Sequence, residues 1–246
     1  MNLKPLKDAV IIAELKAIPD LKRNPSMILL LAVISSFPLF YIIVFGGNLS
    51  YGLVGAMVAT ISFIGLAAAI QDISQDRYVK IREMIIAMPV RSISYAMGVA
   101  LGPLIISAPG LLFFMALAAV LGALPLLSIG WAIASLILCW AAGSSIGFII
   151  STYLQRASIY TLNNMANILG LGLVFIPPVY YPEEILGNLR WVSVVIPTSN
   201  AAGLIRYYAG TMPLPMNMVL IRWLVLVATV VASMIIVSFR AKWRET

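Results

Sequence analysis

The chain has 246 residues and a mass of 26.6 kDa; it is 62% hydrophobic and 10% charged, with sixteen basic and nine acidic side chains and a net charge of +7. A soluble domain carries about 25% charged residues, so this composition, with a mean hydropathy of +1.02, excludes a cytosolic enzyme and describes a membrane protein. Cys139 is the single cysteine and histidine is absent, which excludes an intrachain disulfide and a Cys/His zinc site.

Residues 1–23 hold eight charges and no apolar signal core, the pattern of a retained cytoplasmic segment. Leu3, Leu6, Val10, Ala13, Ala17 and Leu21 share one helical face, which predicts an amphipathic helix interrupted at Pro19. It is read as an interfacial anchor, with packing against a partner as the alternative. Arg23 and Asp72 then bracket 48 uncharged residues, whereas one bilayer crossing takes roughly 20. That run predicts two spans, near 26–45 and 51–72, joined by a turn over Gly46-Gly47-Asn48-Leu49-Ser50.

A loop follows from Ser74 to Arg91. Tyr78, Ile81, Ile85 and Met88 recur at helical spacing, Arg77, Lys80 and Glu83 fall elsewhere, and Pro89 ends the pattern, predicting a short amphipathic helix over 76–89. Such a helix either lies on the inner leaflet or docks into a groove of a soluble partner. Periodicity alone leaves both readings open.

Sixty-four uncharged residues between Arg91 and Arg156 predict spans three and four at about 94–121 and 128–152, broken at Gly122-Ala123-Leu124-Pro125. Two small-xxx-small pairs, Gly98 with Gly102 and Gly143 with Gly147, are read as helix-packing surfaces. The 26 uncharged residues before Glu183 hold a fifth span. In it Asn163 and Asn167 share a face beside Asn164, and amides in hydrocarbon need partners, either on another helix or in a polar pathway.

The stretch from Phe175 to Thr198 is too apolar for a solvated loop and too broken by Pro177, Pro178, Pro182 and Pro197 for a span. It predicts re-entrant helices on the outer side, one starting at Pro182-Glu183-Glu184 with acids at its positive end. The competing reading is an interfacial loop held by Tyr180, Tyr181 and Trp191 as an aromatic belt. A sixth span starts near 216, with Arg222 reaching for the interface.

Six spans put both termini on one side, where 13 of the 16 Lys and Arg collect, leaving Arg190, Arg206 and Arg222 opposite. That bias makes both ends cytoplasmic. The basic residues sit in short loops beside spans, where anionic lipid headgroups rather than nucleic acid are their partners. No GxxxxGK[ST] loop occurs, so the chain has no nucleotide-binding loop of that type, and no carboxylate pair lies deep in a predicted span.

Six spans with both ends inside, a loop helix ending in Met88-Pro89-Val90, and the proline-rich outer block together resemble the ABC-2 type permeases, the membrane subunits of ABC exporters. The outer block carries most of the likeness, through Pro177, Pro178, Tyr181, Pro182, Leu186, Leu189, Pro197, Thr198, Arg206 and Gly210. The loop departs from the family, which often reads acid, Gly, Thr, Leu and Glu where this chain has Tyr78-Val79-Lys80-Ile81-Arg82-Glu83.

The resemblance implies an all-α, six-span permease forming one domain over 1–246, with a cytoplasmic segment at 1–23, the membrane domain at 24–240 and a tail at 241–246. It implies export of an amphipathic or lipid-like substrate across the cell membrane by a dimer, either two copies or one copy with a paralogue. The chain itself would be no enzyme and hold no cofactor; ATP and Mg would sit on a separate nucleotide-binding ATPase subunit. Arg77, Tyr78, Lys80, Ile81, Glu83, Met84 and Pro89 would couple to that subunit. Asn163, Asn164 and Asn167 would line or brace the pathway, and Tyr181, Pro182, Pro197 and Arg206 would form an outer gate. Two other readings need no ATPase: a membrane enzyme acting on lipid head groups through Glu183, Glu184 and Arg190, and an ion-driven carrier coupled at Asp72.

Overall fold

The structure, a computed structural model, describes residues 4–23, 48–78, 92–154 and 157–240. Among them there is helix and turn but no strand. We number the described helices α1 (Lys4–Arg23), α2 (Leu49–Tyr78), α3 (Ser92–Val120), α4 (Ile129–Tyr153), α5 (Ile159–Phe175), α6 (Trp191–Val195), α7 (Pro197–Tyr208) and α8 (Met216–Arg240). Short 3₁₀ segments at Leu126–Ser128 and Glu183–Leu189 precede α4 and α6.

Among the described residues four stretches are long and apolar enough to cross a membrane: Leu49–Asp76, Ser94–Val120, Leu126–Tyr153 and Met216–Ile236. The span predicted near 26–45 lies outside the described residues. The predicted fifth span is the 17-residue helix Ile159–Phe175, shorter than the roughly 20 residues of a full crossing.

The bundle is built around α2. In its apolar window 89% of the residues are buried, against 28%, 50% and 22% for the windows in α3, α4 and α8. It packs against α3, α4, α5 and α7. A helix enclosed on all sides needs no polar face, and α2 supplies small residues for its neighbours, with Ala56, Ala59, Ala67 and Ala69 all buried. At Gly147 of α4 a Cβ would sit 2.8 Å from the Leu66 carbonyl oxygen, so only glycine lets the α2 and α4 backbones meet there.

The other glycine pair seats α1. A Cβ on Gly98 would lie 2.6 Å from Ile12 Cβ and 2.9 Å from the Ala9 carbonyl oxygen. The buried face of α1 is Ala9, Ala13 and Ala17, while Val10, Ile11, Leu15 and Ile18 are exposed. Of the predicted face Ala13 and Ala17 are buried, while Val10 is exposed and Ala9 takes its place; these small residues face α3, with Ile12 half-buried beside them against Gly98. Pro19 does not interrupt the helix, which runs unbroken to Arg23.

Helix ends follow the local chemistry. Asn48 starts α2, its Oδ1 accepting the Ser50 N–H at 2.9 Å, two residues earlier than expected. The predicted break after α3 is a Schellman stop: Gly122 has φ 71°, Ala123 N donates to Ala118 O at 2.8 Å and Gly122 N to Ala119 O at 3.2 Å. Helix α2 instead continues past residue 72 to Tyr78, so residues 74–78 extend this helix rather than opening a separate loop. Its late acids are accommodated because Lys16 Nζ lies 2.7 Å from Asp76 Oδ2 and 3.9 Å from Asp72 Oδ2.

Replacing Gly98 by leucine is expected to detach α1 and expose it to limited proteolysis while the remaining bundle stays folded. Gly130→Leu is the control, since nothing lies within 4 Å of a Cβ there. Overpacking of this kind costs about 1–3 kcal/mol; equal protection of residues 4–23 in both variants would show that the Gly98 seat does not hold α1.

Candidate functional site

After α5 the chain reaches Pro177 and Pro178, which have no N–H and cannot continue the helix. The carbonyls of Pro178 and Val179 are thereby released, and Arg206 of α7 takes them. Its Nη1 donates to Pro178 O at 3.0 Å and its Nη2 to Val179 O. The guanidinium lies 4.0 Å from the centroid of the Tyr51 ring, at the start of α2. The Arg206 side chain has no exposed surface. A guanidinium so placed stays protonated.

Tyr180 packs its ring where a Cβ on Gly55 would have to be, and stacks on Phe175 with centroids 5.8 Å apart. The Tyr181 hydroxyl donates to Ile176 O, folding the turn back on the end of α5. Pro182 has extended backbone before the 3₁₀ segment whose first turn holds Glu183 and Glu184. Pro197 occupies the first turn of α7, where a missing N–H costs nothing. Thr198 Oγ1 then donates to Leu173 O at 2.5 Å, tying α7 to α5. From Thr198 to Arg206 every residue is buried.

Arg222 of α8 faces the same block. Its Nη2 is 2.5 Å from Glu183 Oε1 and its Nη1 donates to Ser199 O at 3.2 Å. Gly203 leaves the notch that the guanidinium fills. The expectation that Arg222 reaches for the interface is therefore overturned: it is 1% exposed, with its two terminal nitrogens held by a carboxylate and a carbonyl inside the protein and its Nε without a partner among the described residues. Next to it Trp131 stacks on Tyr208 at 4.7 Å, and Trp223 Nε1 donates to the Tyr208 hydroxyl at 3.2 Å, joining α4, α7 and α8.

The four residues assigned to an outer gate, Tyr181, Pro182, Pro197 and Arg206, thus fall in one folded block. The asparagines are arranged differently from the first of their two readings. The buried face of α5 is Leu162, Ala166, Gly170 and Val174, against α2; Asn164 and Asn167 are exposed, and Asn163 Oδ1 is buried with no hydrogen-bond partner. None of the three amides hydrogen-bonds another helix among the described residues: Asn164 and Asn167 are turned outward, and Asn163 is half-buried without a partner for its Oδ1.

Of the residues assigned to coupling, Arg77 and Tyr78 close the last turn of α2. Lys80, Ile81, Glu83, Met84 and Pro89 lie outside the described residues. Of the residues given to the lipid-enzyme reading, Glu183 is taken by Arg222, while Glu184 and Arg190 are exposed. Asp72, given to the carrier reading, faces Lys16.

A second polar cluster, at the opposite end of α2, was not foreseen. Asp76 is 5% exposed and receives Lys16 Nζ at 2.7 Å and the Tyr95 hydroxyl at 2.5 Å, linking α1, α2 and α3. The signal was present in the scarcity of charge: acids at i and i+4 on a nearly uncharged helix call for a cation. Beside this cluster a cavity of about 150 Å³ opens between the same three helices, with Lys16, Gln71 and Asp72 on its polar side and Phe63, Ile64 and Ile106 on its apolar side. Among the described residues no group of three His, Cys, Asp or Glu could hold a metal ion.

Arg206→Lys is expected to destabilise the protein, because one ammonium cannot reproduce the fork that holds two adjacent carbonyls. Each buried carbonyl left unpaired costs about 1–3 kcal/mol. Thermal unfolding in detergent checks this: Arg190→Lys, at an exposed site, should leave the midpoint unchanged while Arg206→Lys lowers it by several degrees. No protein-family model matches this chain, and no curated protein matches it either.

Proposed function

We propose that this chain is the permease subunit of an ATP-driven exporter of the ABC-2 type, moving an amphipathic or lipid-like substrate with energy from a separate ATPase subunit. The observation that carries the reading is the segment from Pro177 to Gly210. It folds back into the bundle and is suspended on Arg206, one of the residues on which the resemblance rests. A loop that merely joined two spans would not need a fully buried arginine to hold it.

In this reading six spans cross the cell membrane with both termini in the cytoplasm, and the Arg206 end of the bundle faces outward. Re-entrant helices α6 and α7 form the outer gate, and the 76–89 stretch receives the push of ATP-driven closure of the ATPase subunits. The exposed amides of Asn164 and Asn167 face the pathway between two permease copies. The Asp76 cluster supports the mechanical part of the scheme: it joins α1 to the ends of α2 and α3 on either side of residues 79–91, so force applied there reaches three helices together.

Extraction of the tagged chain from its native host in mild detergent should bring down a Walker-type ATPase at one copy per permease. The complex in vesicles should then export a fluorescent amphiphile only with ATP. A single chain with no ATPase, from an extraction that preserves other complexes, overturns the reading. Glu83→Ala combined with Met84→Ala is expected to abolish ATPase co-purification while leaving the chain folded; undiminished co-purification would remove these residues from the contact.

A further inference from the structure

The block between α5 and α8 has a glycine joint at each end. Gly187 breaks the 3₁₀ segment with φ 51° and ψ −116°, and Gly210 ends α7 with φ 75°, both conformations that favour glycine. Between the joints α6 and α7 are tied into one body, because the Ser199 hydroxyl donates to Ser193 O and Asn200 Nδ2 donates to Val194 O at 2.7 Å.

Arg222 spans the first joint. One of its nitrogens holds Glu183, on the near side of Gly187, and the other holds Ser199 O, on the far side. With both grips made, the Gly187 joint cannot turn. The two halves of the ion pair are unequal: the Arg222 side chain is 2% exposed and that of Glu183 is 12% exposed, so the carboxylate is the half that water reaches. Arg206 lies one turn from Gly210 and holds the other end of the body to the α5 turn, which makes that end the pivot.

We propose that Arg222 and Glu183 form a clasp across the Gly187 joint, and that its release, followed by parting of the Thr198 hydroxyl from Leu173 O, lets α6 and the first turns of α7 swing about the Arg206 end as one body. Arg222 is on this account a positioning residue. The consequence for transport rests on the gate reading above; the clasp itself does not.

The test uses a reporter cysteine at Ala201, a buried α7 position, in a Cys139→Ala background. In the detergent-solubilised full chain, Glu183→Gln is expected to raise the rate of Ala201→Cys labelling by a water-soluble maleimide at least tenfold. Glu183→Asp, which keeps the charge, should fall near the parent rate. Equal rates for Glu183→Gln and the parent overturn the clasp. If Glu183→Gln does not fold, hydrogen exchange on the unsubstituted chain decides: the amides of 191–205 should exchange together at least tenfold faster than those of 53–70, and exchange no faster than α2 overturns the proposal. Labelling that rises while transport keeps its parent rate upholds the clasp and retires the gate. Transport that falls with labelling unchanged retires the clasp.

Discussion

A guanidinium removed from water must find acceptors for five donors in a fixed plane, and in an apolar bundle almost every carbonyl is already committed to a helix. Arg206 meets this constraint because two prolines end α5 and release the carbonyls of Pro178 and Val179. The order of residues around it follows. Tyr51 must lie at the start of α2 to cover the cation, Gly55 must be bare to admit Tyr180, and α7 must enter the bundle to bring the arginine to its acceptors. The ends of α2, α5 and α7 are thus fixed with respect to one another by a single side chain. Nε of Arg206 has no partner among the described residues, so the two carbonyls answer two of the arginine's five donors and the Tyr51 ring faces the cation.

The two ends of α2 solve the same problem with different chemistry. At the Arg206 end a cation is neutralised largely by backbone dipoles and an aromatic face. At the other, the Asp76 carboxylate is answered by an ammonium and a phenol from two different helices. Between them α2 is apolar and small-featured, which suits a helix surrounded by four others. Polar interactions therefore mark where helices end and meet, and close packing of small residues does the rest.

Much of this was legible in the sequence. The bounds of α3, α4 and α8 fell within about two residues of expectation, because Gly122, Pro125 and the charged residues punctuate otherwise uniform apolar runs. The block from Pro177 to Arg206 stood out through prolines that neither a span nor a solvated loop would hold. What escaped were relations between distant elements. Lys16 and Asp76 are ordinary residues on their own helices and become a pair through the Gly98 seat, which periodicity in α1 cannot reveal. Arg222 looked like a residue near a span end because nothing local shows that Glu183 folds back to meet it. The shared face of Asn163 and Asn167 was readable from spacing, but that Asn167 is exposed while Asn163 is half-buried depended on how α5 packs.

The docking of α1 also sets an order of events during synthesis. Sixty positions separate Lys16 from Asp76, and the Gly98 seat is made later still. At translation rates of about 5–20 residues per second, Lys16 leaves the ribosome several seconds before its partner acid exists. Helix α1 therefore cannot be placed until the start of α3 has been made, and until then its alanine stripe and its lysine have no counterpart in the nascent chain. Biogenesis of this protein includes an interval in which α1 waits, undocked, for the start of α3.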